Sequence, residues 1–228
     1  MKTNDFFKTI GDISNAPSQN VKNFARCNRP YQSKFYCSEN RPTSYWELVE
    51  DWAETKKVGE KIYVTIGEWV LKKSLTAIIV TTPDIADRTS EFDKWHGSIM
   101  DKRVSNFDKE TQEAMVIFYR YLFKNFRKPA KNDTKTYIIT SAYCNLALSH
   151  SSNSANGIFY PSIPYQGQGL NLALNADFVT SDNIELNSIL RNEFTVYENE
   201  NKKISFAETG KLKAINFDTT KNLIVWEN

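Results

Sequence analysis

A chain of 228 residues that is 40% hydrophobic and 13% aromatic, with a formal net charge of +2, has the composition of an ordered globular protein and excludes a disordered tail. The near-balanced charge gives no electrostatic case for direct nucleic-acid binding, and no apolar run approaches the roughly 18 residues of a membrane span. One domain is expected from this length.

The N-terminus lacks the apolar core of a secretory signal, so a cytoplasmic location is expected. Cys27, Cys37 and Cys144 form an odd set with no Cys-x-x-Cys pair, which fits reduced thiols better than a disulfide framework. The two histidines, His96 and His150, are not at ligand spacing from a cysteine, so no metal site is expected.

In chain order, residues 1–24 are polar with scattered phenylalanines and read as a short helix or arm. Phe35-Tyr36-Cys37 reads as a short strand within 34–38, ended by the turn signal Asn40-Arg41-Pro42. Tyr45, Leu48, Val49 and Trp52 then repeat at the spacing of one buried helical face, and Lys56, Lys57 and Gly59 supply a stop. Ile62, Val64 and Ile66 alternate as a half-buried strand, and 75–80 is a more continuous apolar strand. The polar stretch 83–108, with Trp95, His96 and Gly97 at its centre, is too long for an ordinary connection and is either a functional loop or holds a short helix.

Ala114, Ile117, Phe118, Tyr121 and Leu122 make the strongest helical stripe, widened by Met115 and Tyr119, so this helix is expected to be largely buried. A further helix over 137–148 places Ile138, Ala142, Asn145 and Leu146 on one side. After a polar loop, 157–162 and 170–174 read as two strands joined by a glycine-containing connection. The alternation at Phe194/Val196, Ile204/Phe206, Leu212/Ala214 and Leu223/Val225 predicts antiparallel strands, with Glu208-Thr209-Gly210-Lys211 as a hairpin turn. The fold class is α+β.

Within 26–47 the chain strings together a guanidinium (Arg26), a phenol (Tyr36) and a carboxylate (Glu47). Such a set can hold a phosphate-bearing substrate, stack on a flat ring and steady a developing positive charge. Each also has a plain structural reading. Glu47 sits opposite the apolar face of its helix, and Ser44-x-x-Glu47 fits a capping box. Arg26 and Arg29 offer planar forks for phosphate, yet most arginines only solvate a surface. Tyr36 on an apolar strand is more often core than platform. Gly167 and Gly169 are a weak phosphate-loop signal, and His150 among Ser149, Ser151 and Ser152 has no acidic orienter that would suggest a triad.

Arg26, the strand Phe35-Tyr36-Cys37-Ser38 followed by Glu47 in a helix, and the later Gly157-Ile158-Phe159-Tyr160-Pro161-Ser162 with Asn171-Leu172-Ala173-Leu174 resemble the RES domain family. The resemblance spans about residues 25–175 and leaves the first 24 residues, 83–108 and the C-terminal strands without counterparts. It implies an ADP-ribosyltransferase-like fold of mixed and antiparallel sheets with flanking helices, in a catalytic domain over 25–228. It implies a toxin that consumes NAD by cleaving the nicotinamide–ribose bond, with water or phosphate as acceptor. Its partner would be a small antitoxin with a DNA-binding region. The alternatives are a protein ADP-ribosyltransferase and a non-catalytic interaction protein on the same scaffold; self-association is compatible with each. Carried over, the resemblance makes Arg26, Tyr36, Glu47 and Ser162 the functional set, with Asn171 supporting them and Arg29 or Arg41 as substitutes for Arg26.

Overall fold

The computed structural model describes residues 6–53, 55–129, 133–149, 155–163, 169–198, 200 and 204–227. The described chain is α+β. Its elements are β1 (Lys34–Ser38), α1 (Arg41–Ala53), β2 (Lys61–Leu71), β3 (Ala77–Ile79), α2 (Glu91–Val104), α3 (Lys109–Arg127), α4 (Thr134–Ser149), β4 (Gly157–Pro161), β5 (Leu170–Asn175), β6 (Ile184–Glu198), β7 (Ile204–Lys213), β8 (Asn216–Asp218) and β9 (Leu223–Val225). It divides into two compact units: Met1–Ala16 with Ser44–Ser74 and Ala176–Asn228, and Pro17–Thr43 with Leu75–Asn175. The segment read as one arm over 1–24 is therefore shared between units, and Ile10, in a 3-10 turn over Ile10–Ile13, is a core residue of the first.

The second unit is built on a sheet of order β1-β5-β4-β3. Its pairings are antiparallel except β3 with β4, which is parallel. A parallel pair needs a long crossover, and the chain between β3 and β4 supplies it with α2, α3 and α4. The alternation of side chains along each strand gathers Ile158, Tyr160 and Ala173 into one core with Phe123 and Phe126 of α3 and Cys144 of α4. At Gly157 a Cβ would lie 2.7 Å from the Ala173 carbonyl oxygen, so only glycine lets β4 and β5 approach this closely.

The inward faces of both helices of that core differ from the apolar stripes read in the sequence, although on α3 Leu122 belongs to both. On α3, Leu122, Phe123 and Phe126 are buried, whereas Ile117, Phe118 and Tyr121 are exposed. The helix carries two apolar stripes, and the sheet covers one. On α4 the buried residues are Thr136, Thr140, Ser141 and Cys144, while Ile138 and Leu146 are exposed. Small side chains allow close packing there, and the hydroxyls satisfy themselves locally: Thr140 donates to the Thr136 carbonyl at 3.2 Å and Ser141 to that of Ile138 at 3.2 Å. Hydrophobic periodicity cannot register an inward face made of Thr, Ser and Cys.

The long polar stretch 83–108 holds α2, a helix of 14 residues. Ser90 caps it by accepting the Asp93 N–H. The segment is tied down by Arg88, whose guanidinium forks onto both carboxylate oxygens of Asp101 at 2.7 Å while its Nε donates to the Thr82 carbonyl. Arg88 lies across Gly97, where a Cβ would come within 2.3 Å of Nε, which accounts for the glycine at the centre of the stretch.

In the first unit β2, β6 and β7 form an antiparallel sheet. Tyr45 and Val49 of α1 pack with Val64 and Phe194, while Leu48, expected on the same face, is 51% exposed. The buried Asn192 accepts from the Tyr45 hydroxyl at 2.6 Å and donates to Glu208 at 2.8 Å. The expected turn at 208–211 lies inside β7. Glu208 pairs with Phe194 and Gly210 with Glu193, leaving Thr209 as the extra residue of a bulge, and the pairing of β6 with β7 runs on to Glu198 opposite Ile204. Gly210 and its polar neighbours serve a kink in a strand here, which from sequence alone is hard to tell from a hairpin turn.

The bulge places Thr209 against Glu193, to which it donates at 2.9 Å, beside the Lys61–Glu193 ion pair at 2.8 Å. Lys61, Tyr63 and Thr209 together hold the Glu193 carboxyl down at about 2, from an ordinary value of 4.5. The folded value lies below the unfolded one, so the stabilisation is present above about pH 4.5 and is lost as the pH falls through about 2. Between those limits the wild type is expected to lose more thermal stability than Glu193→Gln. Parallel melting-midpoint curves for the two proteins would contradict the assignment.

Candidate functional site

Of the segments that carry the resemblance, 35–38, 157–162 and 171–174 come together in the second unit on the adjacent strands β1, β5 and β4, whereas Glu47 lies in the first unit. Ser38 of β1 pairs with Asn171 of β5, which pairs in turn with Tyr160 of β4. The Ser38 hydroxyl donates to Asn171 Oδ1 at 2.8 Å. Ser162 follows β4 directly; it is 1% exposed, and its N–H donates to the Gly169 carbonyl at 2.8 Å, closing the connection between the strands. Asn171 and Tyr160 in this row, and Ser162 beside it, are buried and Ser38 is half-buried; buried polar side chains such as these are retained only where they have partners.

Tyr36 stands two residues before Ser38 and so on the same face. Its hydroxyl is pinned: it donates to Asn28 Oδ1 at 2.7 Å and accepts from the Cys27 N–H at 3.0 Å. Burial, and next the neighbouring Cys27, push its pKa well above the ordinary 10.0, so it stays a neutral phenol. The residue as a whole is nevertheless 41% exposed. The hydroxyl is thus fixed and buried while the residue as a whole keeps contact with solvent.

The arginines differ. Arg26 donates through Nη1 to the Asn125 carbonyl at 2.8 Å and through Nη2 to the Lys128 carbonyl, and its guanidinium lies 5.3 Å from the centre of the Tyr137 ring. It thus satisfies carbonyls at the C-terminal end of α3, where a positive charge is favoured. Arg29 is exposed, and its guanidinium makes no hydrogen bond or ion pair among the described residues. Arg41 is the first residue of α1 and is also exposed.

Glu47 belongs to the other compact unit. It is exposed on α1. The capping-box reading does not hold, because α1 begins at Arg41. Asn40 caps it, its Oδ1 accepting from the Thr43 N–H and hydroxyl at 2.9 Å each. Ser44 therefore lies within the helix, and Asn40-Arg41-Pro42 is a helix start.

A second polar group, around Glu39, has no signal in the local sequence pattern. Glu39 Oε1 accepts the Leu170 N–H at 3.1 Å, fixing the start of β5 from the end of β1. Glu39 is exposed as a residue, and partial desolvation of its carboxylate raises its pKa, partly offset by the Leu170 N–H, with a smaller upward push from Asp93. Asp93 is 1% exposed; it accepts from the Ser90 hydroxyl through Oδ2 at 2.7 Å, and its Oδ1 is buried without a partner among the described residues. Burial lowers the pKa of nearby His96, against an upward push from Asp93. Glu39 follows the strand motif directly, but only the register of β1 with β5 reveals its role.

His150, Ser151, Ser152 and Gly167 lie outside the described residues. No group of three or more potential metal ligands occurs among the described residues. None of the described helices is long and apolar enough to cross a membrane. A cavity of about 210 Å³, lined in part by Pro83, Met100, Val104 and Tyr119, contains none of the site residues expected from the sequence. Comparison with protein-family models, with curated proteins and with solved structures found no match.

Proposed function

We propose that the protein is an NAD-consuming enzyme of the RES type, which breaks the nicotinamide–ribose bond and passes the ADP-ribosyl group to water or phosphate. The observation that carries the reading is the assembly of Tyr36, Ser38, Asn171, Tyr160 and Ser162 on neighbouring strands. These residues come from the segments quoted for the resemblance, which are far apart in sequence.

Nicotinamide leaves a cationic substrate as a neutral ring, so its departure needs no general acid. What the reaction needs is stabilisation of an oxocarbenium-like sugar, the kind of charge that also develops in glycoside hydrolysis. In this reading the ring of Tyr36 stacks on the nicotinamide, an interaction of about 0.5–2 kcal/mol for a cation over an aromatic face. Ser162 and Asn171 hydrogen-bond the substrate and fix its pose. Glu39 is a positioning residue, acting through the Leu170 N–H. Glu47 enters through the resemblance alone as the carboxylate that stabilises developing charge, and its substitution is the test of that role. A small antitoxin with a DNA-binding region is the partner this reading implies.

The pyrophosphate passes from Arg26 to Arg29, because the Arg26 fork is committed to backbone carbonyls. Arg29→Ala is expected to weaken NAD binding by about tenfold to a hundredfold, the range for loss of a charge-assisted hydrogen bond. Arg26→Ala is expected to lower the melting midpoint and leave NAD affinity unchanged. Calorimetric titration of both variants with NAD tests this; an Arg26→Ala protein of unchanged stability that loses NAD affinity would return the role to Arg26. The commitment of Arg26 also favours a second reading, a non-catalytic interaction protein, in which no variant binds NAD.

A further inference from the structure

The outer face of α3 is unusual for a surface helix. Ile117 is 64% exposed, Phe118 49% and Tyr121 52%, with Ala114 exposed one turn before them. Scattered single apolar side chains are ordinary on a surface, but a contiguous line of them marks an interaction face. The charges at its ends identify the occupant. Glu110 lies seven residues before Ile117 and Lys124 seven after; both are exposed, and among the described residues neither has an ion-pair partner within 4 Å, Lys124 acting only at longer range on Asp84, whose close partner is Arg120. Seven residues bring an α-helix to within about 20° of two full turns, so Glu110, Ile117 and Lys124 share one face, each charge about 10.5 Å from the centre.

That arrangement is self-complementary. If a second α3 lies antiparallel across the first with Ile117 on the two-fold axis, Glu110 of each copy faces Lys124 of the other. Ala114 of each then comes opposite the region of Arg120 and Tyr121, where a small side chain leaves room for a ring. A parallel pairing would set Glu110 against Glu110 and Lys124 against Lys124. We propose that the outer face of α3 is the contact of an antiparallel homodimer, centred on Ile117 and held in register by reciprocal Glu110–Lys124 pairs. Two-fold contacts of this kind bring the same patch of both subunits together.

One helix face gives an interface at or below the small end of the usual size range, so the dimer should be concentration-dependent, with a dissociation constant on the order of micromolar. Sedimentation equilibrium of the full chain reads it directly. Ile117→Asp is expected to give a monomer, and its exposed position means the fold is retained, as circular dichroism will report. Glu110→Lys or Lys124→Glu alone should weaken association by about tenfold, more at low salt, by turning two attractive pairs into repulsive ones. The double variant Glu110→Lys/Lys124→Glu exchanges the charges and should restore it. A chain that is monomeric up to its solubility limit, a dimer unaffected by Ile117→Asp, or a double variant no tighter than the single ones would each overturn the proposal.

Discussion

Glu47→Gln is expected to lower the rate of nicotinamide release from NAD by about a thousandfold, at the upper end of what removal of one electrostatic stabiliser costs an enzyme. The substitution keeps the shape of the side chain and removes the charge. Glu47 is exposed and is not the helix cap, a role that Asn40 fills, so the melting midpoint should stay within the small range typical of surface changes. Binding of NAD should persist, because the proposed contacts through Arg29, Tyr36 and Ser162 are intact. The separation of rate from affinity and stability distinguishes a charge used in the transition state from one that only holds substrate. A folded Glu47→Gln protein with most of its activity would remove Glu47 from the mechanism and direct attention to Glu39, the carboxylate that follows Ser38 at the end of β1.

The largest effect on stability is expected at Phe126. Its side chain is 0% exposed and belongs to the second unit's core, 5.5 Å from the Tyr160 ring centre and 6.3 Å from that of Tyr143. Phe126→Ala removes a full aromatic ring from a packed interior and should cost about 3–5 kcal/mol, with a fall in melting midpoint on the order of 10 °C. Ile117→Ala on the outer face of the same helix should change it little at concentrations where the chain is monomeric. Urea denaturation of both variants checks the contrast. Equal losses at the two positions would mean that α3 packs by Ile117, Phe118 and Tyr121 as well as by Phe123 and Phe126.

That contrast marks the boundary of what is legible in the sequence. Strands β4 and β5 can be read as short apolar runs set off by turn residues, because nearly all their side chains become buried. The helical periods of α1, α3 and α4 are also legible, but their inward faces are not all so. α3 offers two apolar stripes and α4 turns Thr136, Thr140, Ser141 and Cys144 inward, so hydrophobicity points to the wrong side. The glycine at 210 reads as a turn because a bulge uses similar residues. For the site, the resemblance nominates Tyr36, Ser162 and Asn171 as candidates, and strand register places their segments side by side, a juxtaposition that local pattern does not give. The roles of Arg26 and Glu39 are beyond the reach of local pattern, since each depends on a backbone group far away in the chain: the carbonyls of Asn125 and Lys128, and the N–H of Leu170.

Cleavage of NAD is measured most directly by chromatographic detection of free nicotinamide after the purified chain is incubated with NAD, with and without phosphate. The expected result is many equivalents of nicotinamide per protein, with ADP-ribose as the product in water and its phosphorylated form if phosphate is the acceptor. Radiolabelled NAD that leaves its ADP-ribose on a protein would assign the transferase chemistry instead. No nicotinamide above the protein-free control, from a folded chain at saturating NAD, would contradict the proposed activity.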